Sequence, residues 1–151
     1  MTHSEDSPSK DDEQLPGSPD QAEFTRLMGI DVDGMVDGAF TVSLHLRRGH
    51  MSRADRAHGG VLFTMLDTAL GRAVLSALPE GRGCATVEIK VNYFRPVQGG
   101  RITARGRLCE LTRSLGYSEG EVVNEEGKVL ARATGTFFLT ATLQQTERER
   151  I

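Results

Sequence analysis

The chain has 151 residues, of which 38% are hydrophobic and 26% are charged. This composition is typical of one soluble domain whose core needs neither a disulfide nor a metal ion for stability. No apolar run approaches the roughly 18 residues of a membrane-spanning helix, and the acidic N-terminus is unlike a signal peptide, so we expect a cytoplasmic protein that binds no membrane. Cys84 and Cys109 lack the spacing of zinc or redox motifs and are expected to be reduced thiols.

The net charge of −3 is unevenly distributed along the chain. Residues 1–20 hold six acidic residues, one lysine and three prolines, and have almost no apolar side chains. Such a segment cannot offset its ordering entropy, so we predict a disordered acidic tail at 1–20, a single domain at 21–141 and a polar tail at 142–151. The remainder is rich in arginine but only slightly positive, which favours a small phosphate-bearing ligand over nucleic acid.

The first predicted elements are a short helix and a hairpin. The helix covers residues 21–28, with Asp20 as the N-cap, Glu23 at the third helical position completing a capping box, and Gly29 as the stop. Alternating apolar residues around Asp37-Gly38 predict a hairpin over residues 32–46. One face of it is expected to be buried (Phe40, Val42, Leu44, Leu46) and the other exposed to solvent (Thr41, Ser43, His45, Arg47).

A long helix and four strands follow. Residues 60–78 are apolar on nearly every helical face, which predicts a helix surrounded by other elements and closed by Pro79. Strand patterns cover 84–94, 101–111, 115–123 and 128–140. In the first of these, alternation places one set of residues on a common face (Ala85, Val87, Ile89, Val91, Tyr93). We therefore predict an α+β fold in which a curled antiparallel sheet of about six strands surrounds one helix, approached closely at small residues (Ala104, Gly106, Ala131, Ala133, Gly135).

Asp67 is an acidic residue inside the most apolar helix, where an unpaired carboxylate would cost several kcal/mol. It falls on a small and polar stripe of that helix (Gly60, Thr64, Asp67, Thr68, Gly71) that faces a cleft or another subunit. A purely structural role is the alternative, with the carboxylate bonded to Thr64 or paired with Arg72. The helical pattern alone does not separate the two.

His58-Gly59-Gly60 precedes the same helix. Free N–H groups and the positive end of the helix dipole at this point form a site for an anion or a carbonyl oxygen, which glycines allow to approach closely. An ordinary histidine cap is the structural alternative. Asp67 follows two and a half turns later, which we expect to bring a base near these donors.

Two other chemistries receive little support. A metal site drawn from His45, His50, Asp55 and His58 matches no ligand spacing, and we expect no metal. A cysteine nucleophile lacks a neighbouring base in the sequence.

Four segments together resemble the PaaI-like acyl-CoA thioesterases of the hotdog-fold superfamily: His58-Gly59-Gly60, LFTMLDTALGRAV around Asp67, TVEIKVNYFRPV at 86–97 and SLGYSEGEVVNEEGKVLARATGTFFL at 114–139. The resemblance spans about residues 27–140. It implies a hotdog fold, a homodimer that joins two sheets edge to edge, often a dimer of dimers, and hydrolysis of an acyl-CoA thioester at the subunit interface. Coenzyme A is then part of the substrate, and no cofactor is implied.

The resemblance also assigns site residues. Asp67 matches the catalytic carboxylate, Gly59 the glycine whose N–H polarises the thioester carbonyl, His58 a residue supporting this loop, and Thr86 a hydroxyl contributed across the interface. Ser52 stands where many relatives have an asparagine that holds the attacking water. Strand alternation points Thr86 away from its own helix, which fits a role toward the partner subunit or a β-bulge.

Further substrate contacts are expected from Gly60, Thr64, Thr68, Arg95, Arg113 and Ser114, with Arg101 and Arg105 as additional candidates for the CoA phosphates. The acyl pocket is expected to be walled by Phe63, Leu66, Leu70 and Tyr93. The resulting hypothesis is an aryl- or medium-chain acyl-CoA thioesterase. The alternatives are a hotdog module that binds acyl-CoA without hydrolysing it and a hydratase or dehydratase on the same fold.

Overall fold

A computed structural model describes residues 21–141, which form two α-helices and six β-strands. In chain order these are α1 (Glu23–Leu27), β1 (Asp31–Val36), β2 (Ala39–His45), α2 (Gly59–Leu75), β3 (Gly83–Tyr93), β4 (Arg101–Leu111), β5 (Leu115–Val123) and β6 (Val129–Thr140). The predicted order of elements is confirmed. The two predicted tails lie outside the described residues. Within residues 21–141, neither helix is long and apolar enough to cross a membrane.

The six strands form one antiparallel sheet in the order β1-β2-β4-β5-β6-β3. Helix α2 lies against its inner face and contacts every strand from β2 to β6. The α+β prediction is therefore confirmed. The sheet approaches the helix closely because Gly106 has no side chain, since a Cβ there would lie 2.5 Å from the carbonyl oxygen of Ala69. This contact fulfils the prediction from the small residues of β4.

Both helices are shorter than predicted. Helix α1 begins at Glu23 with Ala22 as its N-cap and no side-chain cap, so the predicted capping box is wrong; Asp20 lies outside the described residues. Gly29 ends this segment as predicted, with φ of +78°. Helix α2 ends at Leu75 rather than at residue 78, because the chain tightens into i→i+3 bonds from Ala77 to Val74 and from Leu78 to Leu75.

The β1–β2 hairpin forms around Asp37-Gly38, both of which have positive φ as a type I′ turn requires. The prediction that the second face of β2 is exposed to solvent is wrong for Thr41 and Ser43, which are buried. Ser43 Oγ donates a 2.7 Å hydrogen bond to Oδ2 of Asp33 and accepts one of 2.6 Å from the guanidinium of Arg101. The longer side chains of Asp33 and Arg101 therefore cover Ser43.

Strand β3 contains a β-bulge that reverses its side-chain alternation. Thr86 pairs with Phe137 and Glu88 with Thr136, so Val87 is an extra residue relative to β6. Opposed residues of an antiparallel pair share a face, so Thr86 lies on the inner face with buried Phe137, while Ala85 lies outside with exposed Phe138. The prediction that Ala85 shares the inner face is wrong. The bulge, given as the alternative for Thr86, is present.

Candidate active site

Asp67 has a specific partner on β3. Its half-buried carboxylate accepts a 2.8 Å hydrogen bond through Oδ1 from the hydroxyl of Thr86. Neither structural alternative is observed, since Thr64 donates its hydroxyl to the Gly60 carbonyl and Arg72 forms no ion pair with Asp67. Among residues 21–141, no group donates to Oδ2. One carboxylate oxygen is therefore held by the fold, and the other is available to a bound molecule.

The carboxylate lines an open groove of about 540 Å³ that involves α1, α2 and β3. Most of its wall is apolar (Phe24, Val32, Phe63, Leu75, Phe137). Thr64 and Thr68 also line it, with hydroxyls that donate to helix carbonyls at 2.8 Å. Of the expected pocket walls, Phe63 lies here, whereas Leu66 and Leu70 are fully buried in the core because they project from the sheet side of the helix. Tyr93 lines a different groove.

Cys84 lies beside Asp67 in the same groove, and its Sγ–H donates to the Gly71 carbonyl at 3.7 Å. Burial raises the pKa of this thiol, and the negative charge of Asp67 raises it further. The thiolate is the reactive form of cysteine, so the surroundings of Cys84 oppose a nucleophilic role.

His58 is the N-cap of α2, and its Nδ1 accepts a 2.9 Å hydrogen bond from the N–H of Gly60. The Gly60 donor is therefore occupied. The N–H of Gly59 has no acceptor among residues 21–141. Tyr93 covers this turn, because its hydroxyl donates to the Gly59 carbonyl at 2.8 Å and a Cβ at Gly59 would lie 3.3 Å from its ring. Only one amide of the glycine pair is thus free to bind a carbonyl oxygen.

Gly59 and Asp67 open into separate grooves. The Gly59 groove, of about 370 Å³, is lined by Tyr93, Phe94 and Arg95 and does not include Asp67. Asp67 follows Gly59 by eight residues, which corresponds to a rise of about 12 Å along the helix axis. A hydrogen bond spans only about 3 Å. The expectation that one helix brings this base near this donor is therefore wrong within a single chain.

The remaining predicted site residues are dispersed. Ser52 lies in the loop before α2, where its Oγ accepts a long, 3.4 Å bond from the N–H of Ala54. Arg95 lines the Gly59 groove and donates to the Val129 carbonyl at 2.7 Å. Arg113 and Ser114 form the β4–β5 turn near the C-terminal half of α2, where Gly116 packs against Val74. Within one chain, the structure does not bring Arg95 together with that turn.

Two of the histidines considered as metal ligands, His50 and His58, have other partners. His50 is buried, with Nδ1 accepting from the N–H of Arg47 and Nε2 donating to the Met28 carbonyl. Across residues 21–141, no three His, Cys, Asp or Glu side chains converge in a way that could hold a metal ion.

Sequence reasoning missed two contacts of the site: Cys84 beside Asp67, and the cover of Gly59 by Tyr93. The bulge at Val87 puts Cys84 on the inner face, and only the pairing with β6 reveals it. Tyr93 lies on the same face as Ile89 and Val91, as alternation predicts, but its contact with Gly59, 34 residues earlier, depends on how α2 packs against β3.

Comparison with known proteins identifies the family. The sequence profile described as thioesterase superfamily matches residues 55–131. Acyl-coenzyme A thioesterase PaaI of Escherichia coli is 29% identical over 115 residues, which cover 73% of this chain and 77% of that protein. The crystal structure of BH2602 from Bacillus halodurans, solved with CoA, has a TM-score of 0.77 and 28% identity and covers 83% of each chain. A variant of the phenylacetic acid degradation protein PaaI from Thermus thermophilus has a TM-score of 0.70 and 31% identity, covering 78% of this chain and 98% of that one. The chain belongs to the thioesterase superfamily and is a PaaI-like thioester hydrolase with the hotdog fold.

Proposed function

We propose that the protein hydrolyses an aryl- or medium-chain acyl-CoA to the free acid and CoA at the interface of a homodimer. One observation carries the proposal: Asp67, held by Thr86, lines an apolar groove, while the free N–H of Gly59 lies about 12 Å further back along the same helix in a second groove. Because the two groups cannot act on one carbonyl within a chain, a complete site takes Asp67 from one chain and Gly59 from the other.

Strand β3 offers the surface that would join the chains. It spans 11 residues at the edge of the sheet, pairs only with β6 among residues 21–141, and carries Val87 with 62% of its surface exposed. Long unpaired edges favour pairing with another strand. Thr86, which marks the Asp67 groove, and Tyr93, which marks the Gly59 groove, stand toward opposite ends of this strand.

Antiparallel pairing of β3 with its own copy therefore brings each Thr86 toward the Tyr93 end of the partner subunit and creates two equivalent sites. The association of two such dimers, which the family resemblance implies, belongs to the same proposal.

In this dimer, the N–H of Gly59 in the partner subunit binds the thioester carbonyl and stabilises the negative charge that develops on its oxygen. The positive end of the α2 dipole adds to this stabilisation. Asp67 takes a proton from water as the water oxygen bonds to the acyl carbon. The carbon–sulfur bond then breaks, and the CoA sulfur leaves with a proton. Direct attack by Asp67, followed by hydrolysis of the anhydride, is the other route open to the same carboxylate.

Two further points support CoA as the leaving group. The E. coli relative is named an acyl-coenzyme A thioesterase, and the Bacillus structure holds CoA. In this chain, Arg56 and Arg95 line the Gly59 groove, where their guanidinium groups would meet the phosphates of CoA. We propose no cofactor for the reaction, and the cytoplasm as its compartment.

A complementation assay tests the shared site. Asp67→Asn removes the base and Gly59→Pro removes the amide donor, and each homodimer is expected to lose at least about 100-fold in CoA release. In a mixed dimer, one of the two sites combines an intact Asp67 with an intact Gly59. Denaturing and refolding the two variants together should therefore restore roughly one quarter of wild-type activity.

A site built within one chain would show no recovery on mixing, which would overturn the interface. If the wild-type protein binds acyl-CoA in calorimetry but releases no thiol, it is the non-catalytic binding module. A change in acyl absorbance without free thiol would instead identify a hydratase or dehydratase.

A further inference from the structure

We infer that the acyl groove accepts acyl groups that carry a carboxylate at the end remote from the thioester, and that Arg72 binds this carboxylate. The inference rests on the proposed function and narrows its substrate class. It starts from the charges of the groove. Of the 15 residues that line it, only Asp67 and Arg72 are charged.

Arg72 stands on the far flank of the groove from the proposed reaction centre. It follows Asp67 by five residues, which places it about 7.5 Å further along the axis of α2 and about 140° around it. Asp67 faces Thr86 on β3, the strand proposed to join the subunits. An acyl chain whose carbonyl lies at Asp67 and whose CoA portion leaves through the interface would run across α2, toward the flank of Arg72.

Gly71 opens the path between the two charges. It lines the groove between Asp67 and Arg72 and contributes no side chain to it. The space is limited, since a Cβ at this position would lie 3.2 Å from the ring of Phe137. Leu75 and Phe24 line the same groove, so the path offers apolar contact to the methylene groups of an acyl chain.

Arg72 has no carboxylate partner within residues 21–141, where the ion pairs join Arg101 to Asp31 and Arg132 to Glu121. It is half-buried. Its place in the last turn of α2 stabilises the helix, but a cation there could equally point away from the groove. A half-buried guanidinium beside an apolar path favours a planar anion that accepts two hydrogen bonds, and a carboxylate has this geometry.

Three esters of CoA distinguish this specificity from general hydrolysis. Adipyl-CoA carries the remote carboxylate, its monomethyl ester has nearly the same shape without the charge, and hexanoyl-CoA lacks the group. We expect the wild-type protein to have a kcat/KM about tenfold higher for adipyl-CoA than for the methyl ester. Arg72→Gln should abolish this ratio while leaving hexanoyl-CoA hydrolysis within about twofold, and Arg72→Lys should retain part of it.

The control is Arg107→Gln, which removes an exposed arginine bonded to the Asp37 carbonyl outside the groove and should leave the ratio unchanged. Equal kcat/KM values for adipyl-CoA and its methyl ester in the wild-type protein would overturn the inference. So would an equal loss on all three esters in Arg72→Gln. Failure of the proposed function looks different, because the wild-type protein would then release CoA from none of them.

Discussion

The hydroxyl of Thr86 donates a 2.8 Å hydrogen bond to Oδ1 of Asp67, which lies 19 residues earlier in the same chain. Family resemblance assigns Thr86 a role across the subunit interface, but this contact is made within one subunit. The bulge at Val87 makes it possible, because it turns Thr86 to the inner face of β3. The hydrogen bond therefore orients the carboxylate and leaves Oδ2 open to the groove, and we propose Thr86 as a positioning residue.

Loss of the Thr86 hydroxyl should slow the reaction without weakening substrate binding. Thr86→Val keeps the shape of the side chain but removes the donor, so we expect kcat to fall about tenfold while KM changes by less than about twofold. Thr86→Ser restores the donor and should recover most of the rate. Steady-state kinetics with one acyl-CoA measure both constants, and a fully active Thr86→Val variant would contradict this role.

The amide of Gly59 can be tested with a matched pair of variants. Proline is tolerated at the first position of a helix, and His58 already has the extended conformation that proline requires before it, with φ of −62° and ψ of 137°. Gly59→Pro removes the N–H, whereas Gly59→Ala keeps it and adds a Cβ that also meets Tyr93 at 3.3 Å.

We expect kcat/KM to fall by about 100-fold or more in Gly59→Pro and much less in Gly59→Ala. Circular dichroism verifies that both variants are folded. Equal losses in the two folded variants would assign the effect to crowding at Tyr93 and not to the lost amide.

The reactivity of Cys84 should report the charge of Asp67. Burial and the Asp67 carboxylate both raise the pKa of this thiol, so less thiolate is present at pH 8 than in a free cysteine. Asp67→Asn removes the negative charge and should lower this pKa, so alkylation of Cys84 by iodoacetamide becomes faster. Peptide mass spectrometry follows both cysteines at once.

Cys109 serves as the internal control, because burial and Glu119 raise the pKa of its thiol and Asp67 takes no part. If the alkylation rate of Cys84 is the same in Asp67→Asn as in the wild-type protein, the charge of Asp67 does not affect this thiol, which would contradict the prediction.

The close approach of the sheet to α2 predicts a strong effect of a single methyl group. A Cβ at Gly106 would lie 2.5 Å from the carbonyl oxygen of Ala69, and neither backbone can move without shifting its neighbours. Gly106→Ala should therefore lower the free energy of unfolding by about 1–3 kcal/mol. Gly49→Ala, where a Cβ meets nothing within 4 Å, should change it by less than about 0.5 kcal/mol in the same urea titration. Similar stabilities of the two variants would contradict the packing described for this contact.

Local patterns predicted the regular elements because their causes are local. The alternation of β4 and β5 predicted 101–111 and 115–123, the ranges that the two strands occupy. The same reasoning failed at Val87, a strand-forming residue in a run of strand formers, because a bulge there is defined only by its pairing with β6. It also wrongly predicted that Leu66 and Leu70 line the acyl pocket, whereas both are buried in the core. Periodicity shows that the helix is buried on many sides but does not show which side meets the sheet.

The amino-acid sequence alone determined the α+β architecture, the polar stripe of α2 that includes Asp67, and the glycine turn that begins this helix. These features depend on periodicity and on the chemistry of neighbouring residues. Only the tertiary structure decided that Thr86 reaches Asp67 and that Gly59 opens into another groove. The physical reason is distance: a helix rises about 1.5 Å per residue, so residues close in sequence can lie too far apart to share one reaction, while a strand folded alongside brings distant ones together.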